Sequence, residues 1–137
     1  MLPQNAEHLL PQKFPFQLID TLTESSEAFI KTTFNVPEVH VLVDKSYLCE
    51  GGLIENVAQS AAAGTGYYYT SQGKGVPIGY IGAVKNVLIH RLPKAGDQLH
   101  TELVTMNQIG NASIVKGTIF LEKEIIASCE LTIFVAN

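Results

Sequence analysis

The pattern of apolar and polar positions along the chain predicts six strands and one long helix. Strands are expected where β-branched and aromatic residues alternate with polar residues between turn-forming positions. Two such segments precede the helix and four follow it: 17–23, 28–34, 78–92, 98–106, 113–120 and 125–135. Residues 6–10 also predict a single helical turn, which Asn5 would cap and Pro11 would end.

The long helix is predicted over residues 53 to about 72, after Gly51 and Gly52. Apolar residues recur there at intervals of four in two rows, Leu53-Val57-Ala61 and Ile54-Ala58-Ala62. Residues 61–66 carry almost no side-chain bulk, so a neighbouring element must approach the helix closely at this point. We therefore expect an α+β fold in which one curved antiparallel sheet wraps a central helix.

Length and composition limit the class of protein. A chain of 137 residues without repeats or linkers fits one domain, 1–137. Its 46% hydrophobic and 16% charged residues predict a globular chain, and its net charge of −4 argues against nucleic-acid binding. The two cysteines, Cys49 and Cys129, match neither a zinc-binding nor a redox motif, and unpaired thiols suit a reducing compartment.

The chain contains no run of roughly 18 apolar residues, the length needed for a membrane span. Its first residues lack the charged leader and apolar run of a secretory signal. We therefore expect a soluble, cytoplasmic protein. The small share of charged residues also suggests that another subunit covers part of the surface.

Three segments, in order, resemble the 3-hydroxyacyl-acyl-carrier-protein dehydratases. Segment 10–20, LPQKFPFQLID, is similar to the Leu-Pro, Pro-Phe and Leu-x-Asp opening of that family. Segment 53–59, LIENVAQ, resembles its central-helix motif, with a Glu followed by Ala-Gln. Segment 81–99, IGAVKNVLIHRLPKAGDQL, resembles the strand and turn that come next. On this shared order the chain is identified as a member of this hot-dog fold family.

The resemblance implies a fold and an activity. The family pairs two chains so that their sheets form one continuous surface, which implies a homodimer or a higher oligomer. Its members dehydrate a 3-hydroxyacyl thioester to a trans-2-enoyl thioester, in fatty-acid or polyene-type biosynthesis, without a metal or organic cofactor. The partner would be an acyl carrier protein or a coenzyme A thioester. A catalytic His and a catalytic Glu or Asp would meet across the dimer interface, beside an acyl tunnel.

Glu55 occupies the position of the family's catalytic carboxyl. Dehydration needs a base for the α-proton, an acid for the poor hydroxide leaving group, and donors for the thioester oxygen. A buried carboxyl suits the acid because burial raises its pKa. The alternative is a solvent-facing Glu in the first helical turn, favoured there by the helix dipole.

His40 is the candidate base, although the family's His-Phe-Pro is absent from this chain. His40 lies in the corresponding loop and, counted back from Glu55, falls one residue from the family position. Counting forward from residues 35–37 places that position near Asp44 and Lys45 instead. The alternative role of His40 is that of a loop histidine held by a structural hydrogen bond. Three other histidines are less favourably placed: His8, His90 and His100.

Three residues around Glu55 are candidates for substrate binding. Gly51 and Gly52 would let a ligand reach bare backbone N–H groups, or they form only a tight turn. Gln59, one turn after Glu55, would orient the carboxyl or the substrate, or make a structural hydrogen bond to a loop.

Three basic residues within ten positions are candidates for carrier binding: Lys85, Arg91 and Lys94. An acyl carrier protein is acidic, and a basic rim at the tunnel mouth would steer it. The alternative is a set of solvated strand ends.

Two other functions remain open because fold alone does not decide chemistry. In a hot-dog acyl thioesterase, Glu55 would activate water at the thioester. In a non-catalytic, dehydratase-like subunit, the chain would pair with an active homologue, an arrangement consistent with the absent His-Phe-Pro.

Overall fold

The computed structural model describes residues 1–13 and 15–136, in which nine strands and two helices are present. The strands are β1 (Gln4–Asn5), β2 (Thr21–Ser25), β3 (Phe29–Asn35), β4 (Val43–Asp44), β5 (Tyr47–Leu48), β6 (Gly79–Ile89), β7 (Gln98–Ile109), β8 (Ala112–Leu121) and β9 (Glu124–Val135). A 3₁₀ helix covers Ala6–Leu9, capped by Asn5 as predicted, and the long helix α1 covers Glu50–Ser71. All six predicted strands are present, together with three short additional ones.

Seven strands form one antiparallel sheet in the order β1-β2-β3-β7-β8-β9-β6. The other two, β4 and β5, pair with each other, and Tyr47 of β5 also forms an isolated antiparallel bridge with Lys94. β6 follows α1 directly, yet it pairs with the last strand, so that Gly79 lies opposite Val135. β3 pairs with β7, with Phe29 opposite Val104. The first three strands, β1 to β3, and the four strands after the helix, β6 to β9, therefore form one continuous sheet.

α1 begins at Glu50, three residues before the predicted start at Leu53. Cys49 occupies the N-cap position without a side-chain capping bond. Gly51 and Gly52 lie within the first turn of the helix, and a Cβ on Gly52 would come within 2.6 Å of Leu48 Cδ1. Gly52 is therefore needed for close packing at this helix start. Among residues 1–13 and 15–136, no helix is both long and apolar enough to cross a membrane.

The sheet wraps α1, and the small residues of segment 61–66 allow the close approach that was predicted. A Cβ on Gly64 would collide with the Ile30 side chain of β3. A Cβ on Gly66 would lie 2.6 Å from the backbone oxygen of Leu9 in the 3₁₀ helix. Two elements therefore contact the second half of α1 through its glycines.

The core lies between α1 and the concave face of the sheet. Its largest fully buried side chains include Leu18, Leu53, Val57, Leu99, Ile119 and Ile126. A second apolar cluster lies under the 3₁₀ helix and includes Leu9, Leu10, Ile19, Leu22 and Ala63. Burying such side chains is the main favourable contribution to folding.

The strand β6 is an edge strand that leaves apolar side chains in solvent. Tyr80, Ile81, Val84 and Leu88 are between 40% and 58% exposed. An exposed apolar edge has unpaired backbone groups and apolar surface together, which makes it suitable for pairing with another chain.

Candidate active site

A cavity of about 500 Å³ lies between α1, residues 8–12 and the sheet edge formed by β6 and β9. Glu55 lines it near the start of α1. Most of the remaining wall is small or apolar and includes Ala58, Ala61, Ala62, Leu9, Leu10 and Ile133. Residues three or four positions apart share one face of a helix, so Glu55 faces the same side as Ala58 and Ala62. The cavity therefore holds a carboxyl in mainly apolar surroundings.

Burial changes the acidity of Glu55, which is half-buried in this cavity. Removal from water raises the pKa of its carboxyl above the ordinary value, and a hydrogen bond from the Gln59 side chain partly opposes this increase. Glu55 therefore keeps its proton to a higher pH than a fully solvated glutamate. A group that protonates a leaving hydroxyl needs this property.

Gln59 joins α1 to the segment that precedes β2. Its Oε1 accepts a hydrogen bond of 2.7 Å from the Leu18 N–H, and its Nε2 donates one of 2.9 Å to the Phe16 carbonyl. These are the hydrogen bonds to a loop that are expected if Gln59 has a structural role. Its contact with substrate stays a prediction.

Further buried polar side chains lie beside Gln59 on α1. They were not among the site residues predicted from the sequence. The Asn56 Nδ2 donates a hydrogen bond of 2.7 Å to the Leu18 carbonyl, and its Oδ1 accepts one of 2.6 Å from the Thr101 hydroxyl. Ser60 and Thr32 share a hydrogen bond of 2.7 Å between their hydroxyls. The signal in the sequence was the four-residue spacing of Asn56 and Ser60, next to the apolar row of the helix.

His40 is held by backbone groups through both ring nitrogens. Its Nδ1 accepts a hydrogen bond of 3.0 Å from the Leu42 N–H, so in the neutral ring Nε2 is the donor, 3.2 Å from the Gln17 carbonyl. His40 does not line the cavity that contains Glu55. Within one protomer the two residues are therefore not brought together at this cavity, and their meeting across a subunit boundary stays a prediction.

His8 is a histidine that does line the Glu55 cavity. It precedes Leu9, whose carbonyl lies against Gly66 of α1. Gly66 and Glu55 are eleven residues apart, which corresponds to about 16 Å along a helix. His8 therefore belongs to the opposite end of the cavity from the carboxyl. His90 and His100 are exposed and lie outside it.

Gly51 and Gly52 do not line the Glu55 cavity. Gly51 is exposed, whereas Gly52 is buried and donates its N–H to the Cys49 carbonyl at 2.9 Å. A substrate contact through these two residues stays a prediction.

The three basic candidates are exposed at β6 and the loop that follows it. Arg91 forms an ion pair of 2.8 Å with Glu124. Lys85 lies opposite Glu130 in the β6–β9 register. The charge of Arg91 is thus already balanced by a carboxylate. Lys94 contacts Asp97 through its backbone, because its N–H donates to Asp97 Oδ2 and its carbonyl accepts from the Asp97 N–H.

Comparison with known proteins agrees with this architecture. The chain resembles 3-hydroxyacyl-[acyl-carrier-protein] dehydratase FabZ of Bacillus subtilis, with 25% identity over 135 residues and 94% of each chain covered. Its fold resembles the dehydratase heterocomplex ApeI:P from Xenorhabdus doucetiae, with a TM-score of 0.87, 17% identity, and coverage of 100% and 93%. It also resembles a hypothetical thioesterase with coenzyme A from Streptococcus pneumoniae, with a TM-score of 0.66, 15% identity, and coverage of 85% and 84%.

The sheet wrapped around α1 and these structural neighbours define a hot-dog protein, as the sequence predicted. Residues 4–137 match the ApeP-like family model, described as ApeP dehydratase. The chain belongs to this family. The predicted class, a dehydratase of the hot-dog fold, is therefore confirmed.

Proposed function

We propose that this chain works in the dehydration of a 3-hydroxyacyl thioester to a trans-2-enoyl thioester, with Glu55 as the acid. The observation that carries the proposal is the half-buried Glu55 carboxyl in a mainly apolar cavity of about 500 Å³. Membership of a dehydratase family and the likeness to FabZ support it.

The reaction assigns a definite task to the protonated carboxyl. The Cα–H and Cβ–O bonds of the substrate break, a C=C bond forms and water leaves. Glu55 gives its proton to the hydroxyl, while a base takes the α-proton. Glu55 must then regain a proton, and the base must lose one, before the next turnover. Because its pKa is raised, Glu55 holds this proton in the free enzyme nearer to neutral pH.

The acyl chain would occupy the apolar part of the cavity, along Ala58, Ala61 and Ala62. The carrier would be an acyl carrier protein or coenzyme A at the cavity mouth. We propose that Lys85, Arg91 and Lys94 attract the acidic carrier protein. Gly51 would contribute its N–H to the thioester oxygen, and Gly52 would do so only by giving up its hydrogen bond to the Cys49 carbonyl.

A second subunit would complete this site. The exposed apolar edge of β6 supports pairing with another hot-dog chain, and Tyr80 and Ile81 of β6 also line the cavity. In a homodimer, His40 of the second copy would act as the base.

A specific observation favours a second arrangement, in which this chain supplies Glu55 to a complex with a different subunit. Both nitrogens of His40 are engaged by backbone groups, so His40 must give up a contact before it can accept a proton. The ApeI:P structure is a heterocomplex of dehydratases. A homologous subunit that carries the family's His-Phe-Pro would then supply the base. The thioesterase alternative has only the shared fold in its favour.

The deciding experiment follows both possible products from 3-hydroxyacyl thioesters, the enoyl thioester by its absorbance and the free acid by chromatography. Glu55→Gln should abolish enoyl formation. Glu50→Gln should leave it unchanged, because Glu50 is exposed, lies in the first turn of α1, ahead of Glu55, and does not line the cavity.

Three outcomes separate the alternatives. Enoyl product from the chain alone supports the homodimer. Product that requires a His-Phe-Pro homologue and is lost with Glu55→Gln supports the heterocomplex. Free acid without enoyl product supports the thioesterase. Turnover that is unaffected by Glu55→Gln removes Glu55 from the mechanism.

A further inference from the structure

One buried side-chain polar atom in the described part of the chain has no hydrogen-bond partner: Gln12 Oε1. Buried polar side-chain atoms are nearly always paired, and an unpaired one costs free energy. A ligand with a hydrogen-bond donor would remove that cost. The position of Gln12 Oε1 therefore indicates where a hydrogen-bond donor of the ligand would bind.

Gln12 lines the same cavity as Glu55. The segment that carries it runs beside α1 and is attached at two points. The Leu9 carbonyl lies against Gly66, and the Phe16 carbonyl accepts a hydrogen bond from Gln59. These two points of α1 are seven residues apart, about 10 Å along the helix. Gln12 falls between them in the chain and lines the wall of the cavity that also contains Glu55.

The attachments also fix the segment before any ligand arrives. Leu9 and Leu10 are buried in the cluster under the 3₁₀ helix, and Lys13 Nζ donates a hydrogen bond to the Glu7 carbonyl. A binding group held by its surroundings loses little conformational entropy when its ligand binds.

The other polar side chains of the cavity are less suited to act with Glu55. Thr65 is ten residues from Glu55, about 15 Å along α1. His8 lies at the Gly66 end, and Tyr80 is 58% exposed. Gln12 Oε1 is therefore the buried neutral acceptor in this cavity that is free to bind a substrate group.

We propose that Gln12 binds the 3-hydroxyl group of the substrate, which rests on the dehydration proposed above. A hydroxyl offers one donor and two acceptor lone pairs. The substrate O–H donates to Gln12 Oε1, and this leaves the oxygen lone pairs free to accept the proton of Glu55. Gln12 thus holds the leaving group in the orientation in which it is protonated.

This contact would give the site selectivity for the hydroxylated chain. A saturated acyl thioester of equal length fills the same apolar channel but leaves Gln12 Oε1 unpaired. A site built to hydrogen-bond a hydroxyl rejects the analogue that lacks it, because the buried protein group then has no partner.

The test compares the binding of two probes, a 3-hydroxyacyl coenzyme A and the saturated acyl coenzyme A of the same length. Glu55→Gln is the background, so that no probe is consumed, and the assembled complex is used. Adding Gln12→Leu should weaken binding of the hydroxylated probe by about threefold to tenfold. Binding of the saturated probe should stay within about twofold. Gln72→Leu, an exposed position outside the cavity, is the control and should change neither.

A thermal midpoint for Gln12→Leu at or above that of its parent would agree with a binding role, since Gln12 Oε1 has no partner to lose. Gln12→Met provides a second variant, which lacks the amide and keeps only a weak sulfur acceptor, if the leucine variant does not fold. Equal weakening of both probes would overturn the proposal, because Gln12 would then act only as a wall of the channel. Unchanged binding of both probes, or no binding of either to the parent, would also overturn it. The measurement does not depend on turnover, so it separates this proposal from the role of Glu55 as acid.

Discussion

The hydroxyl of Thr101 on β7 donates a hydrogen bond of 2.6 Å to Asn56 Oδ1 on α1, across 45 positions of the chain. Asn56 also donates to the Leu18 carbonyl, so its side chain contacts the sheet and the segment before β2. Both hydrogen bonds are made by Asn56, the residue next to Glu55. They therefore limit rotation of α1 about its axis and direct Glu55 toward the cavity.

Asn56→Ala should destabilise the protein by about 2–4 kcal/mol, because two buried groups lose a partner and each unpaired group costs about 1–3 kcal/mol. Denaturant unfolding would measure this loss. Gln72→Ala, at the exposed C-terminal end of α1, is the control for shortening a polar side chain. A loss below about 1 kcal/mol would indicate that water replaces the missing amide.

The raised pKa of Glu55 predicts a pH-dependent stability difference. Between the pKa values of the unfolded and folded states, the folded chain binds more protons, so the free energy of unfolding falls as pH rises. Relative to Glu55→Gln, the wild type should lose stability as pH rises above the unfolded carboxyl value of about 4.3, and the two should converge below it. Unfolding curves over a pH series would measure this, with Glu50→Gln as the control for charge loss. A difference that does not vary with pH would contradict burial as the cause.

His40 hydrogen-bonds two backbone groups, so its variants can distinguish a role in stability from a role in catalysis. His40→Ala should lower the free energy of unfolding by about 1–2 kcal/mol, because the Leu42 N–H and the Gln17 carbonyl lose a partner. His40→Asn keeps an acceptor two bonds from Cβ and should retain more stability. If His40 is the base, both variants stop dehydration while acyl-chain binding survives. Full turnover by His40→Asn would show that the base lies elsewhere.

Gly66→Ala should destabilise the protein by about 1–3 kcal/mol, because the added Cβ would lie 2.6 Å from the Leu9 carbonyl oxygen. The matched control is Gly51→Ala in the same helix, where the nearest atom, Cys49 Sγ, is 3.9 Å away. That change should stabilise the helix by up to about 1 kcal/mol. Thermal unfolding of the two variants would compare them, and equal effects would argue against a close approach at Gly66.

Carrier recognition by the basic residues predicts a salt-sensitive effect. Lys85→Glu and Lys94→Glu should raise KM for a carrier-protein substrate about fivefold at low ionic strength, and less in high salt. KM for an uncharged pantetheine thioester should not change. Arg91→Glu should have a smaller effect, because Arg91 already pairs with Glu124. Lys123→Glu, in the exposed turn between β8 and β9, is the control. Equal changes for both substrates would argue against carrier binding here.

Local patterns were sufficient to predict the 3₁₀ helix, α1 and the six longer strands, but not the two-residue strands β1, β4 and β5. The alternation of apolar residues gives the strands, and the small residues at 61–66 predicted the close contact made by Gly64 and Gly66. The start of α1 was predicted three residues late because Gly51 and Gly52 resemble a helix entry more than a first turn.

The candidate site was only partly predictable, because its contacts join distant parts of the chain. Glu55 was found because segment 53–59 resembles the family's central-helix motif, on a helix whose neighbouring residues are mostly apolar. Gln59 bonds residues more than 40 positions away, which no local pattern specifies. Gln12 lies inside the LPQKFPFQLID segment, but nothing in its neighbours shows that its oxygen is buried in the cavity of Glu55.

The pairing of β6 with β9 has a consequence for synthesis of the chain. β6 leaves the ribosome directly after α1, but its neighbour in the sheet is the last strand to be made. The intervening residues, 90–135, take about two to nine seconds at 5–20 residues per second. During this time the apolar edge strand has no partner within its own chain, and the sheet cannot close around the helix. The order of the strands therefore delays completion of the core until translation is nearly finished, which leaves β6 open to chaperones and to neighbouring nascent chains.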